Sequence, residues 1–370
     1  MKIICLSYQI SHFIPIMNYL INNSIQDCLF FGDPYLEKYV IKQGYKYISY
    51  GNEEVINLLK YREKKQKAKS EHVYKKLHGE LAEIIEKYDV EEMYCDISRY
   101  MFFAPVGYLK NIKVNVFWTY NGPTHFNLAA YPQSVSRVTE TKLGCLIAWI
   151  KQFYYGEIKS KKICFYLTYP YKIFLHPRFW GKMRYSMDGF FVNTQKIICG
   201  PKEFTKYYDK KTVFDMPKTV FSINEKNKLM DNLIEEVKSK IYITFGTQND
   251  RYADGIEVIQ HILECIKNRK DIGVIVNLGK YDRCMFPGTY NNVYFVSEIN
   301  QDFVLSKVDL VIFHGGYGTL KESYYHKKRM VVIPFMYDQF ANARLVEEKG
   351  LGIYLSVKKA LKTDFSKLFE

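Results

Sequence analysis

Short β-branched apolar runs, spaced by amphipathic stretches, constrain this chain more than any other feature. KIICLS, DCLFF, YKYISY, EEMYCD and VNVFWT follow one another in the first half. After Lys240 the rhythm restarts with IYITFGT, IGVIVNLG, NVYFVSE, DLVIFHGG, RMVVIPF and GIYLS, and helical stretches such as DGIEVIQHILECIKNR lie between them. An apolar run bounded by helices is a strand covered on both faces, which means βαβ units and a parallel sheet. Two such series in 370 residues predict an α/β protein of two doubly wound, Rossmann-like domains, since one core rarely grows so large. Phe214 to Lys238 mixes proline, asparagine and charge and reads as a linker. That puts the domains at 1–222 and 223–370. In paired sheets of this kind, ligands are expected at the carboxyl ends of the strands, in the cleft between the domains.

Two stretches break the rhythm, both in the first half. Lys60 to Lys76 is a basic, helix-like run, and Tyr154 to Trp180 is rich in aromatics and lysine. The plain readings are a solvated helix and a core hairpin; the functional ones are an acceptor pocket or a contact with an anionic bilayer. The formal charge of +14 favours anionic partners: phosphorylated ligands, acidic lipid headgroups or nucleic acid. No nucleic-acid-reading motif is present, so nucleic acid is not expected. Eight scattered cysteines form no CxxC pair and mostly sit in strand-like runs. They read as buried free thiols of a reducing compartment rather than as a zinc site. The apolar stretch at the N-terminus is too short for a signal peptide, and LGCLIAWI is far short of a membrane span. The expectation is a cytoplasmic protein, with a peripheral place at the inner face of the membrane as the alternative.

One turn carries chemistry. The run LVIFHGG ends in glycines and leads into the helical pattern GTLKESYYHK. A strand, a glycine turn and a helix start form a phosphate cradle, because backbone N–H groups and the helix dipole both face an anion. His314 and Thr319 can add hydrogen bonds to phosphate oxygens, and Glu322, one helical turn on, can accept from a ribose diol. A diphosphate joined to a ribose would use all of these. The plain alternative is a βα turn with glycines for tight packing. Neither a Rossmann GxGxxG nor a Walker loop fits the spacing.

The stretch from His314 to Ala343 resembles the donor-binding motif of GT-B-fold glycosyltransferases, the UDP-glycosyltransferases and their bacterial macrolide- and natural-product-modifying relatives. His314, Gly315, Gly316, Gly318, Thr319, Glu322, Pro334, Asp338, Gln339, Asn342 and Ala343 fall in its order and spacing. The resemblance implies two GT-B domains and a nucleotide-diphosphate sugar, UDP- or dTDP-linked. Gly246, Thr247, His314, Gly315, Gly316, Gly318 and Thr319 would then hold the diphosphate. Glu322, Gln301 and Ile299 would hold the ribose and base, and Asp338 and Gln339 the transferred sugar. The chain departs from the pattern where Lys327, Lys328 and Arg329 follow the motif helix, a solvated helix end. It departs again where Glu298 and Asn300 replace the usual tryptophan and proline.

SHFIPIMNYL, after the first strand, resembles the same family's Gly-His-x-x-Pro segment. His12 falls on its catalytic histidine, and Asp96, ending EEMYCD, on the aspartate that orients it. The bland readings are a satisfied structural histidine and a helix N-cap. What the resemblance implies is inverting, metal-independent transfer of a sugar to a small-molecule acceptor such as a natural-product aglycone, with no cofactor beyond the sugar nucleotide. A membrane-surface glycolipid or cell-envelope acceptor is the alternative. A sugar-nucleotide epimerase and a non-catalytic auxiliary of the same fold are further ones. The base, the sugar, the acceptor and the oligomeric state are left open.

Overall fold

A computed structural model describes residues 1–6, 9–51, 53–60, 70–119, 121, 123–128, 141–159, 171–186, 189–205, 207–216, 218–222, 239–288, 290 and 292–369. They form two compact units, the first comprising Met1–Pro132 and Thr139–Phe221, the second running on from Ser222.

In the first unit the strands are β1 (Lys2–Cys5), β2 (Cys28–Gly32), β3 (Lys46–Ser49), β4 (Glu92–Asp96), β5 (Lys113–Trp118), β6 (Met183–Ser186), β7 (Gly189–Val192), β8 (Lys196–Cys199) and β9 (Thr212–Asp215). The helices are α1 (Ile10–Asn22), α2 (Pro34–Lys42), α3 (Glu53–Lys60), α4 (Ser70–Lys87), α5 (Tyr100–Leu109) and α6 (Lys142–Phe153). Seven strands make one sheet in the order β3-β2-β1-β4-β5-β8-β9. Every pairing in it is parallel. β6 and β7 form a separate antiparallel hairpin. β2 is buried along its whole length, as a central parallel strand must be. The next helix starts where Asp33 accepts from the Tyr35 N–H and Pro34 supplies a preset φ. Large side chains such as Phe31, Phe103, Tyr100 and Trp118 fill the layer between sheet and helices.

The second unit holds β10 (Ser239–Thr244), β11 (Ile272–Asn277), β12 (Val293–Val296), β13 (Leu310–Phe313), β14 (Arg329–Val332) and β15 (Gly352–Tyr354). Its helices are α7 (Gly255–Ile266), α8 (Gln301–Lys307), α9 (Tyr317–Tyr325), α10 (Gln339–Glu348) and α11 (Val357–Ala360). The strand order is β12-β11-β10-β13-β14-β15, again wholly parallel. Helix α7 buries Val258, Ile259, Ile262, Leu263 and Ile266, one face at helical spacing. In each sheet the winding reverses at one place, between β1 and β4 and between β10 and β13. The carboxyl ends of those strand pairs are where such sheets take ligands.

Several expectations change. The supposed linker opens inside β9, and Val220 and Phe221 are clamped to α1, where their N–H groups donate to Asn18 Oδ1, both at 2.8 Å. Its remainder, 223–238, lies outside the described residues, as do 61–69 of the basic run and 160–170 of the aromatic one. Ser70 to Lys76 opens α4. The described parts of Tyr154 to Trp180 are helical turns, not a hairpin; the hairpin comes next in the chain, at β6 and β7. Proline at position 177 suits a helical first turn and cannot pair in a ladder. Five of the seven described cysteines are buried, but Cys265 is partly exposed and Cys284 exposed. Among the described residues, no helix is long and apolar enough to cross a membrane.

Candidate active site

At the reversal of the first sheet, α1 brings His12 into its first turn and β4 ends on Asp96. His12 Nδ1 lies 2.8 Å from Asp96 Oδ2 and 3.1 Å from Oδ1. Asp96 is fully buried, whereas the His12 side chain is 17% exposed. A buried carboxylate persists only when it is hydrogen-bonded. Here the backbone N–H of Ser98 donates at 3.1 Å, its hydroxyl at 3.0 Å and the Thr119 hydroxyl at 3.4 Å. Asp96 therefore caps the following turn and also contacts the histidine. A carboxylate at Nδ1 favours the proton on that nitrogen, an arrangement that suits Nε2 to accept one. Thr119 Oγ1 also sits 3.1 Å from His12 Nδ1. Sequence reasoning passed over this residue. Its only signal is its place, one residue past the end of β5, the strand beside β4.

At the reversal of the second sheet, β13 ends and the chain turns through His314, Gly315 and Gly316 into α9, whose second residue is Gly318. Gly316 is the N-cap residue and gives the helix start no side-chain cap bond. The His314 ring is gripped between two glycines. A Cβ on Gly246 would stand 2.7 Å from its Cε1, and one on Gly316 only 2.4 Å from its Nε2. Gly246 and Gly315 also have φ of +74° and +89°, where a side chain is strained. Gly318 has open space at its Cα, which leaves the backbone approachable. Burial holds the His314 pKa down to about 4, partly opposed by the Thr244 backbone, so the ring is neutral near pH 7. Thr247 is exposed beside Gly246.

Behind the turn lies a connected polar set. Gln301 Nε2 donates to Glu322 Oε2 at 2.6 Å, while its Oε1 accepts from the Tyr242 hydroxyl at 3.3 Å and from Thr319 Oγ1 at 3.4 Å. Asn277 Nδ2 donates in turn to Tyr242 at 3.1 Å. Burial raises the Glu322 pKa, and the Gln301 bond opposes it. Two expected ribose residues, far apart in sequence, are thus direct partners. Ile299 is buried, so its backbone is what it offers a ligand. Asn300 accepts from the Phe303 N–H at 3.0 Å and caps α8. Where the family has proline, this chain has a cap.

The expected sugar pair divides. Gln339 is buried, and its amide is committed: Oε1 accepts from the Phe335 and Met336 N–H groups, both at 2.9 Å, and Nε2 donates to the Tyr252 hydroxyl at 2.9 Å. Tyr252 stacks on Phe335, ring centroids 4.5 Å apart. Gln339 therefore shapes the loop after β14. Asp338, half-buried, accepts from Asn342 Nδ2 at 3.1 Å, and the same nitrogen donates to the Gly315 carbonyl at 2.8 Å. Lys327 and Arg329 are exposed past the end of α9, the solvated helix end expected. Among the described residues, no group of three or more His, Cys, Asp or Glu is placed to hold a metal.

The two parallel α/β units, each with one reversal point, have the architecture of GT-B glycosyltransferase folds. Similar proteins are known for the C-terminal part of the chain and for its fold. The glycosyltransferase family 28 C-terminal domain matches residues 240–369. UDP-glucuronosyltransferase ugt-48 of Caenorhabditis elegans is 33% identical over 125 residues, which is 33% of this chain and 24% of that protein. The chain thus matches about a quarter of the length of that relative. The fold is similar to that of the glycosyltransferase VinC in complex with DTDP, with a TM-score of 0.66, 10% identity and coverage of 100% of this chain and 90% of that one. The spinosyn rhamnosyltransferase SpnG complexed with spinosyn aglycone aligns with a TM-score of 0.58 and 12% identity, over 100% of this chain and 91% of that one.

Proposed function

We propose that this protein transfers a sugar from a nucleotide-diphosphate sugar, UDP- or dTDP-linked, to a hydroxyl of a small-molecule acceptor, with inversion at the anomeric carbon. The observation that carries the proposal is the His12–Asp96 contact at 2.8 Å, on a histidine whose side chain stays 17% exposed. His12 Nε2 takes the acceptor proton as the oxygen attacks, and Asp96 stabilises the imidazolium that forms. The bond from the anomeric carbon to the diphosphate oxygen breaks as the new glycosidic bond forms. The leaving diphosphate is received by the glycine turn, the α9 N-terminus and His314, which stabilise its growing charge. These donors give the stabilisation a divalent ion would otherwise supply, so the proposal includes no metal. Glu322 and Gln301 take the ribose hydroxyls. Asp338 takes a hydroxyl of the sugar, and Gln339 sets the loop that presents it. Similarity to VinC and SpnG supports a sugar-nucleotide donor and an aglycone-like acceptor.

The test is a thermal-shift panel of nucleoside diphosphates, followed by mass spectrometry of an acceptor panel incubated with the corresponding sugar nucleotides. A ligand at a hundred times its dissociation constant adds about 2.7 kcal/mol of stability. No shift with any uridine or thymidine diphosphate would contradict the donor assignment.

A further inference from the structure

Helix α6 carries an apolar stripe on its outer face. Leu143, Leu146, Ile147, Ile150 and Tyr154 recur at three- and four-residue intervals and are 36–67% exposed. The opposite face is occupied. Cys145, Ala148 and Trp149 are buried, with Trp149 edge-on to Phe126 and Tyr185. Folding of the unit therefore leaves the stripe uncovered by design of the sequence, since a helix packed by one face has no use for aliphatic residues on the other. Exposed lysines border the stripe on both sides. At helical spacing Lys142 stands about 100° to one side of Leu143 and Lys151 about 80° to the other. From Lys142 to Ser186 the chain has nine Lys or Arg and one acidic residue, Glu157, which is itself buried.

We propose that this face docks on an anionic bilayer, with Leu143, Ile147 and Ile150 in the boundary between headgroups and acyl chains and Lys142 and Lys151 reaching the lipid phosphates. Lysine can lay its stem on apolar surface while its ammonium stays in the wet headgroup layer. An acid-free, lysine-bordered rim suits a surface of phosphates, whereas protein interfaces are depleted in lysine. The helix lies on the membrane and does not enter it, at twelve residues being too short to span. Docking would put the first unit, with its His12–Asp96 pair, at the bilayer and give it lipid-borne or membrane-dissolved acceptors.

Vesicle sedimentation tests this without donor or acceptor, so its result is independent of whether transfer occurs. The full chain is mixed at low salt with phosphatidylcholine vesicles, with and without phosphatidylglycerol. Binding should be at least about tenfold tighter to the phosphatidylglycerol vesicles and should fall at high salt. Leu143→Ser/Ile147→Ser/Ile150→Ser should lose about tenfold or more of that affinity, from the apolar area it removes. Lys142→Glu/Lys151→Glu should lose at least as much, since each lysine at such a surface is worth roughly fivefold before reversal of its charge. The side chains are exposed, so melting curves should match the parent; the charge variant keeps the test decisive if the triple variant melts early. Absence of vesicle binding at low salt, equal binding to both lipid compositions, or parent-like binding by the two variants would overturn the proposal. So would a dimer in solution that the triple variant dissolves, because the stripe would then serve a second copy of the chain.

Discussion

The carboxyl edges of the two sheets share a winding order but are furnished differently. At the first edge the hydrogen-bonded cluster is made largely of side chains: His12, Asp96, Ser98 and Thr119. At the second edge backbone predominates, with Gly246 and Gly316 against the His314 ring, Gly315 against the Gln339 backbone and Gly318 open. Proton transfer needs a side chain that can give and take a proton, whereas a diphosphate is held best by converging N–H groups. The difference has a consequence for sequence. A backbone cradle fixes residue types at adjacent positions, because a Cβ on Gly316 would stand 2.4 Å from His314 Nε2. A side-chain site is assembled from residues 84 and 107 positions apart, tied by topology alone.

The largest way to break this comparison is at Asp96. Asp96→Asn should lower turnover by about 10²–10⁴-fold, since the base would lose the anion that holds its tautomer and stabilises its cation. Nucleotide affinity, measured calorimetrically, should stay at the parent value; a parallel loss of both would mean that the two edges are not separable. Next in size is Glu322→Ala. It should weaken nucleoside diphosphate binding by roughly 1–3 kcal/mol, because Gln301 also loses its partner. Unchanged affinity would remove Glu322 from the ribose site. A smaller effect is expected at Thr119→Val, on turnover alone and by about tenfold or less, the worth of one hydrogen bond. A change in nucleotide affinity there would show that the threonine acts on the donor rather than on the histidine.

Legibility differs between the halves for the same physical reason. All six strands of the second sheet were readable as apolar runs, and the glycine turn was readable from order and spacing. In the first sheet the five strands up to Trp118 were equally plain, but β6 to β9 were not. These are four-residue strands, and MRYS and TVFD carry too little alternation to stand out. Thr119 had no periodic context at all, and His12 was visible only through the proline three residues on. Gln339 was expected at the transferred sugar, whereas its amide is bound to the Phe335 and Met336 N–H groups and to a tyrosine 87 residues away, which spacing alone does not reveal. The stripe on α6 was hidden inside a run noted only for its hydrophobicity, because apolar residues in a sequence do not reveal which of them the fold will leave outside.

Acid lability is an expected effect on stability rather than on activity and concerns both units. His78, donating to the Phe102 carbonyl at 2.8 Å, and His314 are each held at a pKa of about 4 by burial. Unfolded, each would take a proton below about 6.5. The unfolded chain therefore binds more protons between these values, and stability that is complete above pH 6.5 falls as pH drops toward 4. Denaturant unfolding at pH 7.5 and 5 should show the loss, and His78→Gln should reduce it. Stability that rises on acidification would contradict the neutral, buried state of both rings.

The separation of the two edges is tested most directly on His12→Ala, with turnover and nucleoside diphosphate affinity measured on one preparation. Turnover should fall by about 10²–10⁴-fold, the usual contribution of a general base. Affinity should stay within about twofold of the parent, well below the tenfold that 1.4 kcal/mol represents. Full transfer activity in this variant, or a nucleotide affinity that collapses with turnover, would contradict the assignment of the base to the first unit and the donor to the second.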